Sequence, residues 1–368
     1  MSRSIGSDAR GNNRTPNSCS SLPAEISQVN RNFVPPKEVR YKLAHTGNPM
    51  RRAVLLYNPQ SGRHRSDLVA SVERAAVALR AAGVDATVVP TVSAAAAGRQ
   101  AQDAVAEGCD TVFACGGDGT IMGIAQGVIG SSAALAVIPL GTANVLAHDL
   151  GIPRDTVAAA RAALRAIPLR VSVGRIDCKS KNEIIVTRYF LTVAGVGQDG
   201  YLFHRLASEE KQTFGMGAYF LKALQVWLTH RMEWFSASCS AATTGNTAPP
   251  HQITQLLAVR LHNFGNLLRD LAPGASLLRD DLHVVLFKTA SRWTYLLYVI
   301  RGIVGARWMV SGIEMINANH IRLTPDGKNP VYIEADGELL GQLPAEISVV
   351  PDALTLLVPQ DFASRQPD

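Results

Sequence analysis

No pair of cysteines in this 368-residue chain is spaced as CxxC, and the five that occur, Cys19, Cys109, Cys115, Cys178 and Cys239, are odd in number. That excludes a CxxC redox or metal motif, and all five read as reduced thiols of a cytoplasmic protein. No run of about 20 apolar residues exists, so no spanning helix is expected. The segment Gly119–His148 has no Asp, Glu, Lys or Arg, but five glycines, Pro139, Asn144 and two serines break it into shorter pieces. The N-terminus has no continuous apolar stretch of the kind a secretory signal needs. GxxxxGK[ST] is absent, which excludes a P-loop nucleotide triphosphatase. No GxGxxG follows the first apolar strand, which weighs against a dinucleotide dehydrogenase.

Charged residues are sparse at 18%, while hydrophobic residues reach 47%. A chain of this length and composition buries a sizeable core in two or at most three domains and is not globally disordered. The net charge of +6 is concentrated: residues 1–52 hold nine Lys/Arg and three Asp/Glu, and the remainder carries 27 of each sign. The pI of 9.2 therefore describes a tail, not a nucleic-acid-binding face, and no nucleic-acid partner is expected. A basic tail instead favours an anionic membrane surface.

Residues 1–50 are rich in Ser, Asn, Arg and Pro without hydrophobic period, and read as a disordered tail. From residue 51 strands and helices alternate. Strands are expected at Val54–Tyr57, Ala86–Val89, Thr111–Ala114 and Leu135–Ile138, with helices over about 68–79 and 93–107 and after each of the last two strands. This alternation predicts a parallel sheet with helices on both faces over 51–167. Beyond Pro168 short strands dominate, at Arg170–Asp177, Ile184–Val193, Phe235–Ala241, Thr254–Leu261, His283–Phe287, His320–Leu323, Val331–Glu334 and Ile347–Val350. Residues 168–368 therefore read as an antiparallel β-sandwich or barrel-like domain, interrupted by helical stretches near 201–230 and 292–304.

Three strands of the first half end in glycine loops: NPQSG (Asn58–Gly62), GGDGT (Gly116–Thr120) and PLGTAN (Pro139–Asn144). Ligands of an open parallel sheet bind beyond the carboxyl ends of its strands. Each loop leads towards a helix N-terminus, where free amides and a partial positive charge attract anions, and glycine lets the backbone come close. Ser61, Thr120, Thr142 and Asn144 add side-chain donors. The sum predicts a pocket for phosphates. Asp118 would repel phosphates unless a cation intervened, which points to Mg²⁺; the alternative is an Asp that caps the following helix.

These loops, in this order, resemble the diacylglycerol kinase catalytic family, which includes bacterial lipid kinases and the sphingosine and ceramide kinases. Further matching features are GVGQD at Gly195–Asp199, NFGNLLRDLAPGA at Asn263–Ala275 and EADGELLGQLP at Glu334–Pro344, so the resemblance spans roughly 53–359. It implies an α/β domain followed by a β-sandwich, with ATP in the cleft between them. It places Asn58, Thr91, Gly117–Thr120 and Thr142 on nucleotide-binding positions. Asp336 falls on the position proposed as general base, Glu338 belongs to the same acidic cluster, and Asp199 faces the acceptor head group. Two departures stand out. Met122 and Gly123 follow GGDGT where Asn-Glu is frequent, which implies one polar contact fewer near the nucleotide. The stretch LLRDDLHVV replaces a DG-containing loop that holds a structural Mg²⁺ in bacterial relatives, leaving Asp280 or Asp281 as candidate ligands.

The resemblance thus implies an ATP- and Mg²⁺-dependent lipid kinase that phosphorylates a hydroxyl of a membrane lipid such as diacylglycerol. It would visit the inner leaflet from the cytoplasm as a peripheral protein. Two other readings remain open: an NAD kinase-like enzyme, since GGDGT also occurs there, and a catalytically silent nucleotide- or lipid-binding member of the fold. A homodimer is also left open. Asp336-Gly337 reads equally as a hairpin turn. All four tryptophans, Trp227, Trp234, Trp293 and Trp308, lie in the second half. The first aromatic stretch, near Phe220, Leu224, Trp227 and Leu228, is open between membrane contact and core packing. The second, Trp293–Ile300, bounded by Arg292 and Arg301, is expected to pack against the sheets, with membrane contact as the alternative.

Overall fold

The computed structural model describes residues 50–61, 65–180, 182–208, 225, 231–240, 249–264, 272–306 and 308–364. The basic tail up to residue 49, Gly62 and nearly all of 209–230 lie outside the described residues, so the expectations for the tail and for the first aromatic stretch go with them.

The first half is built from β1 (Arg52–Tyr57), α1 (Arg65–Ala81), β2 (Asp85–Pro90), α2 (Ala94–Ala106), β3 (Thr111–Gly116), α3 (Asp118–Val128), β4 (Ala134–Pro139), α4 (Val145–Leu150) and α5 (Thr156–Leu164). The strands pair in parallel in the order β2-β1-β3-β4. Successive side chains of a strand point to opposite faces. Val54, Leu56, Val112, Ala114, Leu135 and Val137 accordingly join one buried cluster with residues of α2, α3 and α4. Ala53, Leu55, Phe113, Cys115, Ala136 and Ile138 join the other, with residues of α1 and α5. A strand apolar on both faces is what a sheet covered by helices on both sides requires.

The second half adds β5 (Ile167–Lys179), β6 (Ile185–Phe190), β7 (Val193–Gly197), α6 (Gln198–Ser208), β8 (Phe235–Ser240), β9 (His251–Ile253), β10 (Gln255–Val259), β11 (Leu282–Phe287), α7 (Arg292–Val304), β12 (Ile313–Ala318), β13 (His320–Pro325), β14 (Tyr332–Ala335), β15 (Glu338–Val358) and α8 (Gln360–Ala363). The chain is thus an α/β domain followed by a β-sandwich. The sandwich strands pair antiparallel around a separate apolar cluster that includes Ile176, Phe190, Val196, Phe235, Leu256, Ile321 and Ile333.

The 21-residue β15 ties the halves together. It leaves a hairpin with β14, pairs along its length with β5 and β13, and ends parallel to β4, with Thr355 opposite Ala134 and Leu356 opposite Leu135. Its last residues, with Phe362 of α8, lie in the same cluster as Val54 and Leu135.

Two details differ from the sequence expectation. The single strand expected over 184–193 is two, because Leu191 and Thr192 leave the ladder and turn their amides to the Asp336 carboxylate. On α7 Tyr298, Arg301 and Gly302 are buried, and Tyr295 and Tyr298 pack on Phe287 of the sheet as expected, but Trp293, Leu297, Ile300, Ile303 and Val304 face outward, so only one side of this run is covered.

Candidate active site

The three glycine loops meet at the carboxyl ends of β1, β3 and β4. Asn58 donates its backbone amide to Cys115 O at 3.2 Å and its side-chain amide to Thr120 Oγ1 at 3.2 Å. Its Oδ1 accepts from Gln60 N at 2.9 Å, and its carbonyl accepts from Ser61 N at 3.0 Å. Thr91, buried at the end of β2, donates its amide to Tyr57 O at 2.8 Å. Leu140 N binds Gly116 O at 2.8 Å, joining the second loop to the third. Asn144 sits in the left-handed region at φ 48°, and its side chain closes a ring on Gly141, accepting from its N at 2.9 Å and donating to its O at 2.6 Å. A Cβ on Gly141 would stand 2.6 Å from Gly117 Cα, so the backbones of the two loops touch and only glycine fits between them. Thr142 is exposed at the loop tip.

The first turn of α3 starts at Gly117, which supplies no side-chain cap. The amides of Gly119 and Thr120 belong to the unpaired set at a helix start, next to the positive end of the helix dipole. Gly119 is exposed, so this end is open to an anion.

Asp118 does not cap its own helix. Its Oδ1 accepts Val145 N at 2.7 Å, at the start of α4, with the neighbouring amides of Asn144 and Leu146 also directed at it. Burial raises its pKa, against the pull of these amides. The carboxylate thus staples the second loop to the third. Among the described residues no three His, Cys, Asp or Glu side chains converge as a metal cage.

Asp280 and Asp281 are similarly engaged. Asp280 Oδ1 accepts Ser172 Oγ at 2.5 Å, and Asp281 is held by Arg279 at 2.6 and 2.7 Å. The cation of this region is a protein side chain. The guanidinium of Arg260, fully buried, donates to the carbonyls of Asp281 at 2.8 Å, Ser172 at 2.8 Å, Arg279 at 3.1 Å and Leu277 at 3.3 Å. Burial lowers its pKa to about 10, so it stays charged at neutral pH. A divalent ion takes carbonyl and carboxylate oxygens of this kind, and here an arginine already uses them. These residues do not fit a structural Mg²⁺.

The sandwich contributes a second set of groups. Ala335-Asp336-Gly337-Glu338 is the tight turn between β14 and β15, with φ of 49° at Asp336 and 84° at Gly337, the two positive values a type I′ hairpin requires. The turn reading of Asp-Gly is thus realised, and the Asp336 side chain does more. Its Oδ2 accepts Leu191 N at 3.0 Å; its Oδ1 accepts Thr192 N at 2.9 Å, Val193 N at 3.1 Å and the Thr192 hydroxyl. Burial raises its pKa to about 6, opposed by these four donors, which favour the charged form. Glu338, two residues on, pairs with Arg188 of β6 at 2.5 Å, and its other oxygen lies 3.8 Å from where a Cβ on Gly119 would stand. The hairpin of the sandwich therefore reaches the GGDGT turn.

Behind Asp336 lie two more carboxyls. Asp199, at the start of α6, accepts Tyr295 OH at 2.9 Å and Gln255 Nε2 at 3.0 Å, and burial raises its pKa. Glu334, buried in β14, accepts Gly337 N at 3.0 Å. Burial first, then the charges of Asp199 and Asp336, drives it well above the ordinary carboxyl range. Gly195 makes the space: a Cβ there would stand 2.6 Å from Glu334 Oε1 and 3.4 Å from Asp199 Oδ2.

Sequence reasoning missed Glu334, Thr192 and Arg188. Glu334 had a signal, an acidic residue inside the apolar strand segment Val331–Ala335. Thr192 and Arg188 had none, because only the fold brings them to the hairpin. Met122 is buried in the core of the α/β domain, where its apolar side chain is at home. Gly62, expected at this site, lies outside the described residues.

The model of the diacylglycerol kinase catalytic domain matches residues 52–176, and that of the YegS C-terminal NAD kinase beta sandwich-like domain matches 207–358. Diacylglycerol kinase of Bacillus subtilis (strain 168) is 26% identical over 327 residues, covering 87% of this chain and 100% of the relative. Diacylglycerol kinase of Staphylococcus aureus (strain MRSA252) is 28% identical over 178 residues, covering 48% of this chain and 53% of the relative. A crystal structure of a diacylglycerol kinase from Bacillus anthracis str. Sterne superposes with a TM-score of 0.62 at 18% identity, covering 86% of this chain and 100% of that one, a likeness of fold.

Proposed function

Because this chain belongs to the bacterial lipid-kinase family that joins a diacylglycerol kinase catalytic domain to an NAD kinase-like β-sandwich, we propose that it transfers the γ-phosphoryl group of MgATP to a hydroxyl of a membrane lipid such as diacylglycerol. The observation that carries this reading is the approach of the Asp336–Glu338 hairpin to the GGDGT turn, marked by the 3.8 Å between Glu338 Oε1 and the Cβ position of Gly119. On this reading the glycine loops would hold the phosphates and the acidic hairpin would serve the acceptor.

Phosphoryl transfer passes through a loose transition state, so positioning and charge neutralisation supply most of the rate. The α3 amides of Gly119 and Thr120, with the side chains of Asn58 and Thr142, would hold the phosphates. Positive charge beside the phosphates would come from a Mg²⁺ bound together with the nucleotide. Such an ion needs no protein cage of its own, since Mg²⁺ is commonly held by one or two carboxylates and the phosphates themselves. Asp336 would accept the proton of the lipid hydroxyl as that oxygen attacks the γ-phosphorus. Its pKa near 6 leaves it ionised at neutral pH while keeping it a competent base. Glu338 and Arg188 would fix the hairpin against the nucleotide loop. Asp199, steadied by Tyr295 and Gln255, would receive a polar head group.

The purified full chain, incubated with γ-labelled ATP, Mg²⁺ and separate vesicle preparations of diacylglycerol, phosphatidylglycerol or a sphingoid base, should carry label into the organic phase with at least one acceptor. Label confined to water-soluble products with every lipid would overturn the reading.

A further inference from the structure

Helix α7 turns an apolar stripe to solvent. Trp293, Leu297, Ile300 and Val304 recur at the spacing i, i+4, i+7, i+11, which puts them on one face, and Ile303 adjoins them. Their relative exposures are 73%, 45%, 41%, 65% and 46%, and Trp308 and Met309, just beyond the helix, are 45% and 92% exposed. Apolar side chains exposed singly are ordinary; seven gathered on one helix and its exit mark an interaction surface. The opposite face of α7 is well anchored. Tyr298 is buried edge-on against Phe287 at 5.0 Å, the Arg301 guanidinium lies 4.9 Å over the Tyr298 ring, and Tyr295 donates to Asp199. The stripe is therefore not the stray side of a loose helix.

We propose that this face of α7 docks the protein on a bilayer bearing anionic lipid. Three observations favour that occupant. First, α7 carries no acidic residue, and the charge exposed at the start of the stripe, Arg292, is basic; Arg301 is buried and Lys288 is paired with Glu314. Arg292 is exposed beside Trp293 at the helix start. Second, tryptophans stand near both ends of the stripe, and tryptophan prefers the boundary between head groups and acyl chains. A 13-residue helix, about 20 Å long at 1.5 Å per residue, is too short to cross a bilayer but suits one lying in its surface. Third, the docked helix is the one that reaches Asp199 through Tyr295, so a lipid in that bilayer would lie next to the carboxyl cluster. This last point, and only this one, rests on the lipid-kinase reading.

The test uses the full chain, wild type and L297E/I300E, sedimented with vesicles of phosphatidylcholine alone or mixed with phosphatidylglycerol. Thermal midpoint and turnover of a short-chain diacylglycerol below its micellar concentration are measured in parallel. The wild type should partition to the anionic vesicles over the neutral ones. The variant should lose that partition by about tenfold or more, as removal of two buried apolar side chains predicts, with midpoint and short-chain turnover unchanged. Equal partition of the two proteins overturns the proposal. So does a variant whose self-association changes in sedimentation velocity while vesicle binding does not, which would make the stripe a contact between two copies. A parallel loss of short-chain turnover also overturns it, since the residues would then belong to the reaction site. If the variant loses partition but the wild type phosphorylates no lipid, the surface stands and the kinase reading falls; if lipid is phosphorylated and both proteins partition alike, the reverse holds.

Discussion

Replacement of Asp336 by Asn tests the chemistry while leaving the turn in place. Asn tolerates the left-handed conformation found at this position, φ 49°, nearly as well as Asp. Its amide oxygen can take over the donors that meet Oδ1, which are Thr192 N, Val193 N and the Thr192 hydroxyl. Its NH₂ must then face Leu191 N–H, leaving that donor unsatisfied at a cost of about 1–3 kcal/mol, a fall on the order of 2–10 °C in thermal midpoint. Loss of a general base should lower turnover by ~10²–10⁴-fold while ATP affinity stays within about twofold. The pH profile separates the two effects. With a wild-type pKa of about 6, roughly a tenth of the carboxyls are ionised at pH 5, so the acid limb of kcat should fall about tenfold there, and the variant should lose that limb. Stability runs the other way. A carboxyl whose folded pKa lies above its unfolded value contributes stability at low pH and loses it as pH rises through about 6, so Asp336 itself does not unfold the protein in weak acid. Labelled-phosphate transfer into the organic phase across pH 5–8 measures all of this. Turnover unchanged in D336N, or an acid limb that survives the substitution, would refute the assignment.

Thr192→Ala removes a hydroxyl that favours the ionised carboxyl, so the acid limb should move above its wild-type position; a limb unmoved or moved to lower pH contradicts the assignment. Gly141→Ala would press a Cβ to 2.6 Å from Gly117 Cα and force two loops apart. Steady-state kinetics at varied ATP should show kcat/KM lowered on the order of 10–100-fold with a raised KM, and an unchanged KM would detach these loops from the nucleotide. Arg260→Met strips the charged donor from four carbonyls, those of Ser172 and Leu277 in buried bonds and those of Arg279 and Asp281 in part-buried ones, and should cost about 3–5 kcal/mol in urea unfolding. Since that arginine already serves as the cation, a chelator should leave the wild-type thermal midpoint where it is, and a chelator-dependent drop would mean a metal in the same loop.

The parallel sheet was legible because its physics is local. Strands apolar on both faces, glycine at their ends and helices between them are all written in short stretches such as Val54–Gly62 and Thr111–Thr120. The hairpin at Asp336-Gly337 was equally readable, since two consecutive positive φ angles call for that dipeptide. Three features escaped. The break between β6 and β7 is imposed by a carboxylate 144 residues away at Thr192, and nothing in Leu191-Thr192 announces it. The binding of Asp118 to the start of α4 also depends on a long-range meeting, across 27 residues, and the local rule for helix caps pointed to the wrong helix. For α7 the expected packing holds for Tyr295 and Tyr298, while Trp293, Leu297 and Ile300 stay exposed: the apolar pattern identifies the run but not how much of it is covered.

Strand β15 also has a consequence for biosynthesis. The four-stranded parallel sheet lies within the first 139 residues, yet the place beside β4 is taken by residues 355 and 356. A nascent chain that has released β1 to β4 from the ribosome must carry an unfilled sheet edge through translation of more than half the polypeptide. Until the C-terminal strand is made and docks, that edge of β4 remains a site at which another strand can pair.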